Sequence, residues 1–467
     1  MNAMIEPKPA HEALYAAFAE ARRRARICGS AVLAAVGWPV QVPQPLELFR
    51  AWRDARTSCF YWESQQPTLK MFGWDACVEL RCDDERRFAD IDRAWRALQT
   101  QAVVHGDQPP RLFGGFGFDP QRRAEAQWRC FPAARMVVPR LLLSDDGSGQ
   151  YLLCQHLTEA DDDPSALAEQ YLAWADELAR PAPAEETTAE LIDVEETSHL
   201  HWCDGVQRAL GEIERRKLFK VVLARQVRQS YARTLDPARV LRRLSGARRN
   251  AHVFAVSHGD CCFLGATPER LARVESGLLH THALAGSIRR GETEQEDHAL
   301  GEALLDSVKD RHEHALVVDA IRAVLAPRAQ SLDMPPAPGL HRLANIQHLS
   351  TPFRAHLRDG VGVLDAIQAL HPTPAVAGLD RDEAMRHIRD HEGFDRGWYA
   401  APVGWLDGDG TGDFVVALRS ALIDGATCYL FAGCGIVADS DPESEYRETC
   451  LKLAPMQAAL SAVATEH

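Results

Sequence analysis

Two runs near the C-terminus decide the fold: Phe414 to Leu422, FVVALRSAL, and Cys428 to Val437, CYLFAGCGIV. Both are rich in β-branched and aromatic residues, and the short spacer between them holds Asp424 and Gly425, as a turn between paired strands would. Working back, FKVVLARQV (219–227), HVFAVS (252–257) and CFLGA (262–266) read as further strands. They alternate with helical patterns at 202–217, 235–246, 299–325 and 443–461. Hairpin-like spacing favours antiparallel pairing, so the expected class is α+β, antiparallel sheets flanked by helices.

The first half carries helical patterns at 9–28 and 164–179 and strand-like runs at 59–62, 136–143 and 151–157. Between the halves, RPAPAEETTAELIDVEET (180–197) has the composition of a surface linker. It is the expected boundary between an N-terminal part, 1–196, and a catalytic part, 197–467, the alternative being an excursion within one domain. With 467 residues, 46% of them hydrophobic, the chain can bury a large core. A net charge of -14 argues against binding nucleic acid or anionic lipid. Neither a long apolar run nor a secretory signal is evident, so the expected location is cytoplasmic. The 12 cysteines are scattered without a CxxC pair, and reduced, mostly buried thiols are expected. Asp407 to Asp413, DGDGTGD, imitates the start of a calcium loop, but the twelfth position is Leu418 where a bidentate Glu is needed. A hairpin turn is the expectation there.

Chemistry concentrates on two acidic helices. In LLDSVKDRHEHALVVDAIRAVLAP, the stripe of Val317, Ile321 and Val324 continues back to Glu313 and Asp310. Carboxylates on such a line are costly unless a cation neutralises them; the competing reading is a solvated helix end. In DSDPESEYRETCLKL, Ser440 or Asp441 caps a helix with Pro442 in its first turn, and Glu445, Glu448 and Lys452 share a face. Facing each other, the two helices would form an oxygen-rich site suited to Mg²⁺. Lys220 shares a strand face with Val222 and Ala224, as a snorkelling cation or as a desolvated base. Glu269, in GATPERL, follows a strand and reads alone as a turn carboxylate.

Together FKVVLAR, GATPERL, LAGSIRRG, KDRHEH, QHLST, HPTPAVAG, FDRGWYAAPVGW, VALRSAL, AGCGIVADSDPESEYRET and LKL resemble the chorismate-utilising enzymes over roughly residues 200–460. Isochorismate synthases look most similar, because Ala375 and Ala285 stand where other branches usually carry Thr and Lys. CFYWES and LFGGFGFDP resemble the longer, menaquinone-associated members. The resemblance implies the anthranilate synthase component I-like fold and Mg²⁺-dependent conversion of chorismate to isochorismate. Water would attack C2 and the C4 hydroxyl would leave.

Carried over, Lys220 matches the general base and Glu269 the general acid. Glu313 and Glu448 match direct Mg²⁺ ligands, and Asp310 and Glu445 match positions that hold metal-bound water. Tyr399, Arg419, Gly433, Gly435 and Lys452 match substrate-carboxylate positions, His348 a histidine near the departing hydroxyl, and Ala375 a substrate-binding position. Departures are Ser287-Ile288-Arg289 in AGSIRRG, where AGTRPRG is common, Ala401 where Gly is usual, Asp380 where Pro is usual, and Cys434. The rivals are a salicylate synthase, which would go on to eliminate pyruvate, an amine-transferring synthase and a silent chorismate-binding regulator. The expected partner is chorismate alone, without nucleic acid, membrane or glutaminase subunit. Quinone, siderophore and salicylate-derived products all remain open as destinations.

Overall fold

The computed structural model describes residues 7–53, 57–122, 125–180, 189–247, 251–342 and 346–464. Residues 181–188 of the expected linker lie outside that set; beyond them Leu191–Glu196 is a strand on the edge of Lys220–Tyr231.

The strands pair antiparallel almost throughout. Lys220–Tyr231 pairs with Thr427–Ile436, then Ser420–Asp424, Cys261–Thr267, His252–His258, Ser58–Gln65, Thr68–Cys82 and Ala134–Asp145 follow in turn. A second path leaves Ala134–Asp145 through Arg111–Phe116, Pro402–Asp407, Gly412–Val416, Arg270–Glu275, Leu278–Arg289 and Ile346–Leu357. Strands from both sides of the linker are therefore neighbours. Strand alternation feeds two cores: Trp62 and Phe254 enter one, Tyr61 and Val253 the other. The class is α+β.

Several local expectations change. The 299–325 pattern is two helices, Glu294–Asp306 and Val308–Leu325, because the Ser307 hydroxyl caps the second by accepting from Asp310 N at 3.2 Å. FVVALRSAL is not one strand: Gly412–Val416 and Ser420–Asp424 flank a break at which Arg419 takes a left-handed φ of 50°. Asp441, not Ser440, caps Pro442–Ala464, accepting from Ser444 N at 2.9 Å. Asp407 does close a hairpin turn, with its Oδ1 accepting from Asp409 N and Thr411 N, both at 3.0 Å. All twelve cysteines are free, but only half are buried, and Cys28 and Cys450 are exposed. Among the described residues, no helix is long and apolar enough to cross a membrane.

Candidate active site

The floor of the site follows from strand register. Gly433 lies opposite Ala224 and Gly435 opposite Val222, so these residues share a face with Lys220. Both glycines keep that face low. A Cβ on Gly435 would stand 2.8 Å from Lys220 Cε, and one on Gly433 would stand 2.7 Å from Leu223 O. Above the floor is a cavity of about 340 Å³. All thirteen residues singled out in the sequence line it: Lys220, Glu269, Asp310, Glu313, His348, Ala375, Tyr399, Arg419, Gly433, Gly435, Glu445, Glu448 and Lys452.

Lys220 is buried and its Nζ donates to Glu313 Oε1 at 2.7 Å. On the other acidic helix, Lys452 Nζ lies 2.6 Å from Glu448 Oε1 and donates to Gly433 O at 2.9 Å. Asp310 is held by the Ser307 cap, whose hydroxyl donates back to it. It packs close to Gly286, where a Cβ would come within 3.1 Å of the Asp310 Cβ. Among the described residues, the groups whose ligand atoms already lie within 4.8 Å of one another are elsewhere, at His199, Cys203 and Glu443, at Glu212, His387 and His391, and at Cys82, Asp84 and Asp90. The cavity carboxylates form a divided, all-oxygen donor set, two of them now occupied by lysines. That chemistry fits Mg²⁺, which takes few direct carboxylates and keeps water and substrate for the rest.

Glu269 is anchored through its backbone, with its N donating to Thr267 Oγ1 at 3.2 Å and its O accepting from Val416 N at 3.0 Å. Its side chain lines the cavity and is partly buried. Burial lifts its carboxyl to about 7, against the opposing pull of Lys220, Arg419 and Lys452. His348 Nδ1 is 2.6 Å from Ser287 Oγ. Burial, with His341, Lys452 and Arg419 adding to it, drops this imidazole to about 4 and leaves it neutral at physiological pH. Tyr399 stacks on Phe431 with centroids 5.1 Å apart, and burial raises its hydroxyl to about 12, so it is a neutral donor.

Arg396 was missed. It lines the cavity, fully buried, and is knitted to Glu392 at 2.6 Å and 2.5 Å, to Val376 O at 2.8 Å and to Val222 O at 2.8 Å. Glu392 Oε1 also accepts from Ala224 N at 2.7 Å. The pair thus ties the segment bearing Ala375 to the strand bearing Lys220. Its only signal was its place within FDRGWYAAPVGW. Lys309 and Asp439, paired at 3.1 Å at the rim, were likewise marked only by their places within KDRHEH and AGCGIVADSDPESEYRET. At the unusual Ala401, the positive φ falls one residue earlier, on Ala400 at 60°. Asp380 has a φ of 61°, which proline cannot adopt, so the backbone here departs from that of a proline-bearing chain.

An amine, a carboxyl that is half protonated near neutrality and a divided acidic pair suit an acid–base enzyme acting on a small carboxylated substrate. Residues 18–461 match the chorismate binding enzyme family, and the chain belongs to that family. It is 47% identical over 454 residues to the salicylate biosynthesis isochorismate synthase of Pseudomonas aeruginosa, covering 97% of this chain and 95% of that one. It is 34% identical to the isochorismate synthase MenF of Bacillus subtilis, over 94% and 96% of the two chains. The structure of MenF, the menaquinone-specific isochorismate synthase from Escherichia coli, superposes with a TM-score of 0.79 at 27% identity, over 95% of this chain and 100% of that one.

Proposed function

We propose that this chain is an isochorismate synthase, a Mg²⁺-dependent isomerase that adds water at C2 of chorismate and expels the C4 hydroxyl. The observation that carries the reading is that Lys220 and Glu269 line the same small cavity, with the Glu269 carboxyl held at about 7. Every residue lining that cavity comes from position 220 onward, which supports 197–467 as the catalytic part.

Lys220, as base, takes a proton from the attacking water, for which the amine must leave its ion pair with Glu313 and be neutral. Glu269, as acid, gives its proton to the C4 oxygen, because hydroxide is a poor leaving group and departs as water. One water enters and one leaves, so the reaction is a net isomerisation. Glu313 and Glu448 would hold Mg²⁺ directly and Asp310 and Glu445 through water; when bound, the ion supplies positive charge against a substrate carboxylate. Arg419 clasps the other carboxylate, Tyr399 donates its hydroxyl, and Lys452 adds charge beside the glycine floor. Neutral His348 accepts or donates near C4 without competing for the proton. The enzyme is a cytoplasmic one that uses water and needs no glutaminase subunit.

Pure protein incubated with chorismate and Mg²⁺ tests this reading, with products separated by liquid chromatography. Isochorismate is expected. Stoichiometric salicylate and pyruvate would make it a salicylate synthase, and unchanged chorismate would refute both.

A further inference from the structure

Away from the cavity, His199 and Cys203 sit one turn apart on the helix His199–Glu214, and Glu443 sits in the first turn of Pro442–Ala464. The spacing of four puts the imidazole and thiol on one face. His199 Nε2 lies 2.8 Å from Glu443 Oε1 and 3.7 Å from Cys203 Sγ, and all three ligand atoms lie within 4.8 Å of one another. A tetrahedral Zn²⁺ with Zn–N near 2.0–2.1 Å and Zn–S near 2.3 Å sets its nitrogen and sulfur ligands about 3.5 Å apart. The Cys203–His199 separation is already close to that value. The carboxylate has only to swing outward slightly to admit the ion.

The surroundings hold the ligands in place. The Tyr446 ring meets the His199 ring edge-on with centroids 4.8 Å apart, and Trp202 Nε1 donates to Pro442 O at 3.3 Å, joining the two helices beside the cluster. His199 and Glu443 are solvent-accessible and Cys203 is half-buried, so an ion can enter and a water can complete its coordination.

We propose that His199, Cys203 and Glu443 form a second metal site, selective for a borderline-soft transition cation of the Zn²⁺ class. Thiolate and imidazole donors disfavour Mg²⁺, whereas the cavity carboxylates favour it, so the chain separates the two ions by ligand chemistry. None of the three residues lines the catalytic cavity. A cation there bridges the helix His199–Glu214 to the first turn of the helix that presents Glu445 and Glu448, and because the folded state alone assembles the site, it stabilises the fold.

Co²⁺ is the probe, because a cysteine thiolate bound to it gives a near-ultraviolet charge-transfer band that oxygen and nitrogen ligands do not. The full-length protein, reduced and freed of metal, is titrated with Co²⁺ and then Zn²⁺. Expected are a saturable thiolate band, its displacement by Zn²⁺ but not by excess Mg²⁺, its loss in Cys203→Ser, and weakened binding in His199→Ala. Chorismate turnover with Mg²⁺, retained in Cys203→Ser, certifies that this variant is folded. Absence of the band in the wild-type protein overturns the proposal, as does a band that survives Cys203→Ser, or Co²⁺ absorption without thiolate character, which would place the ion at the cavity carboxylates or at Glu212, His387 and His391 instead.

Discussion

Lys220 and Glu313 form an ion pair of 2.7 Å inside the cavity, the amine from the first residue of a strand and the carboxylate from the second turn of a helix. Both residues have a second duty in the proposed reaction, one as base and one as metal ligand, so the pair describes the protein at rest. Chelation is expected to abolish turnover, and Mg²⁺ to restore it. Glu313→Gln is expected to weaken Mg²⁺ binding and to lose activity at any Mg²⁺ concentration that saturates the wild type, measured by calorimetric titration beside a chorismate assay. Full turnover in excess EDTA would refute the metal requirement.

Removing either proton-transfer group should damage the rate more than binding. Lys220→Ala and Glu269→Gln are each expected to lower kcat by roughly 10²–10⁴-fold, with chorismate affinity changed far less. Stopped-flow turnover set against a chorismate titration checks this. A variant that keeps more than about a tenth of wild-type turnover has no such role.

The acidic positions were readable because helical spacing places Asp310 and Glu313 on one line and Glu445, Glu448 and Lys452 on another, and family motifs in order supplied the roles. The break before Val308 was also written in the chain, since Ser307 stands three residues ahead of Asp310, a capping pattern lost inside a longer apolar periodicity. The break at Arg419 was not readable. No glycine or proline marks it, and tertiary pairing of Ser420–Asp424 with Cys261–Thr267 pulls the second strand onto a new neighbour. Arg396 escaped because a buried arginine shows itself only through Glu392 and the carbonyls it meets after folding.

That buried pair carries a stability prediction. Glu392 and Arg396 satisfy each other and three backbone groups. Glu392→Ala leaves a buried guanidinium uncompensated and is expected to cost about 3–5 kcal/mol of folding free energy. Urea unfolding checks it, and a midpoint unchanged from the wild type would show that water replaces the carboxylate.

Glu269 links activity and stability to pH with opposite use of the same proton. As an acid it must be protonated, so turnover is expected to fall as pH rises through about 7. Its folded value is raised, from 4.5 to about 7, so the native state binds this proton more tightly than the unfolded chain does. The contribution to stability is therefore full below the lower value and is lost as pH climbs through that window. Glu269→Gln stays neutral throughout. The variant is expected to melt near the wild type in mild acid and above it in mild alkali, while inactive at both. Equal melting temperatures on both sides would mean that the carboxyl is not desolvated.

Arg419 allows substrate binding to be separated from backbone strain. Its φ of 50° lies in the left-handed region, which costs a residue with a Cβ roughly 1–2 kcal/mol and glycine almost nothing. The cost is tolerated where the break in the strand turns the guanidinium toward the cavity it lines. Arg419→Ala keeps the strain and loses the clasp; Arg419→Gly loses both. Chorismate affinity should therefore fall alike in the two variants, by more than the rate of the bound complex falls. Thermal stability should differ, with the glycine variant melting above the alanine variant by an amount that corresponds to about 1 kcal/mol. A chorismate titration and a melting curve on each protein test both halves. If alanine and glycine melt together, the backbone at Arg419 is not strained; if chorismate binds either variant as it binds the wild type, the guanidinium does not hold a substrate carboxylate.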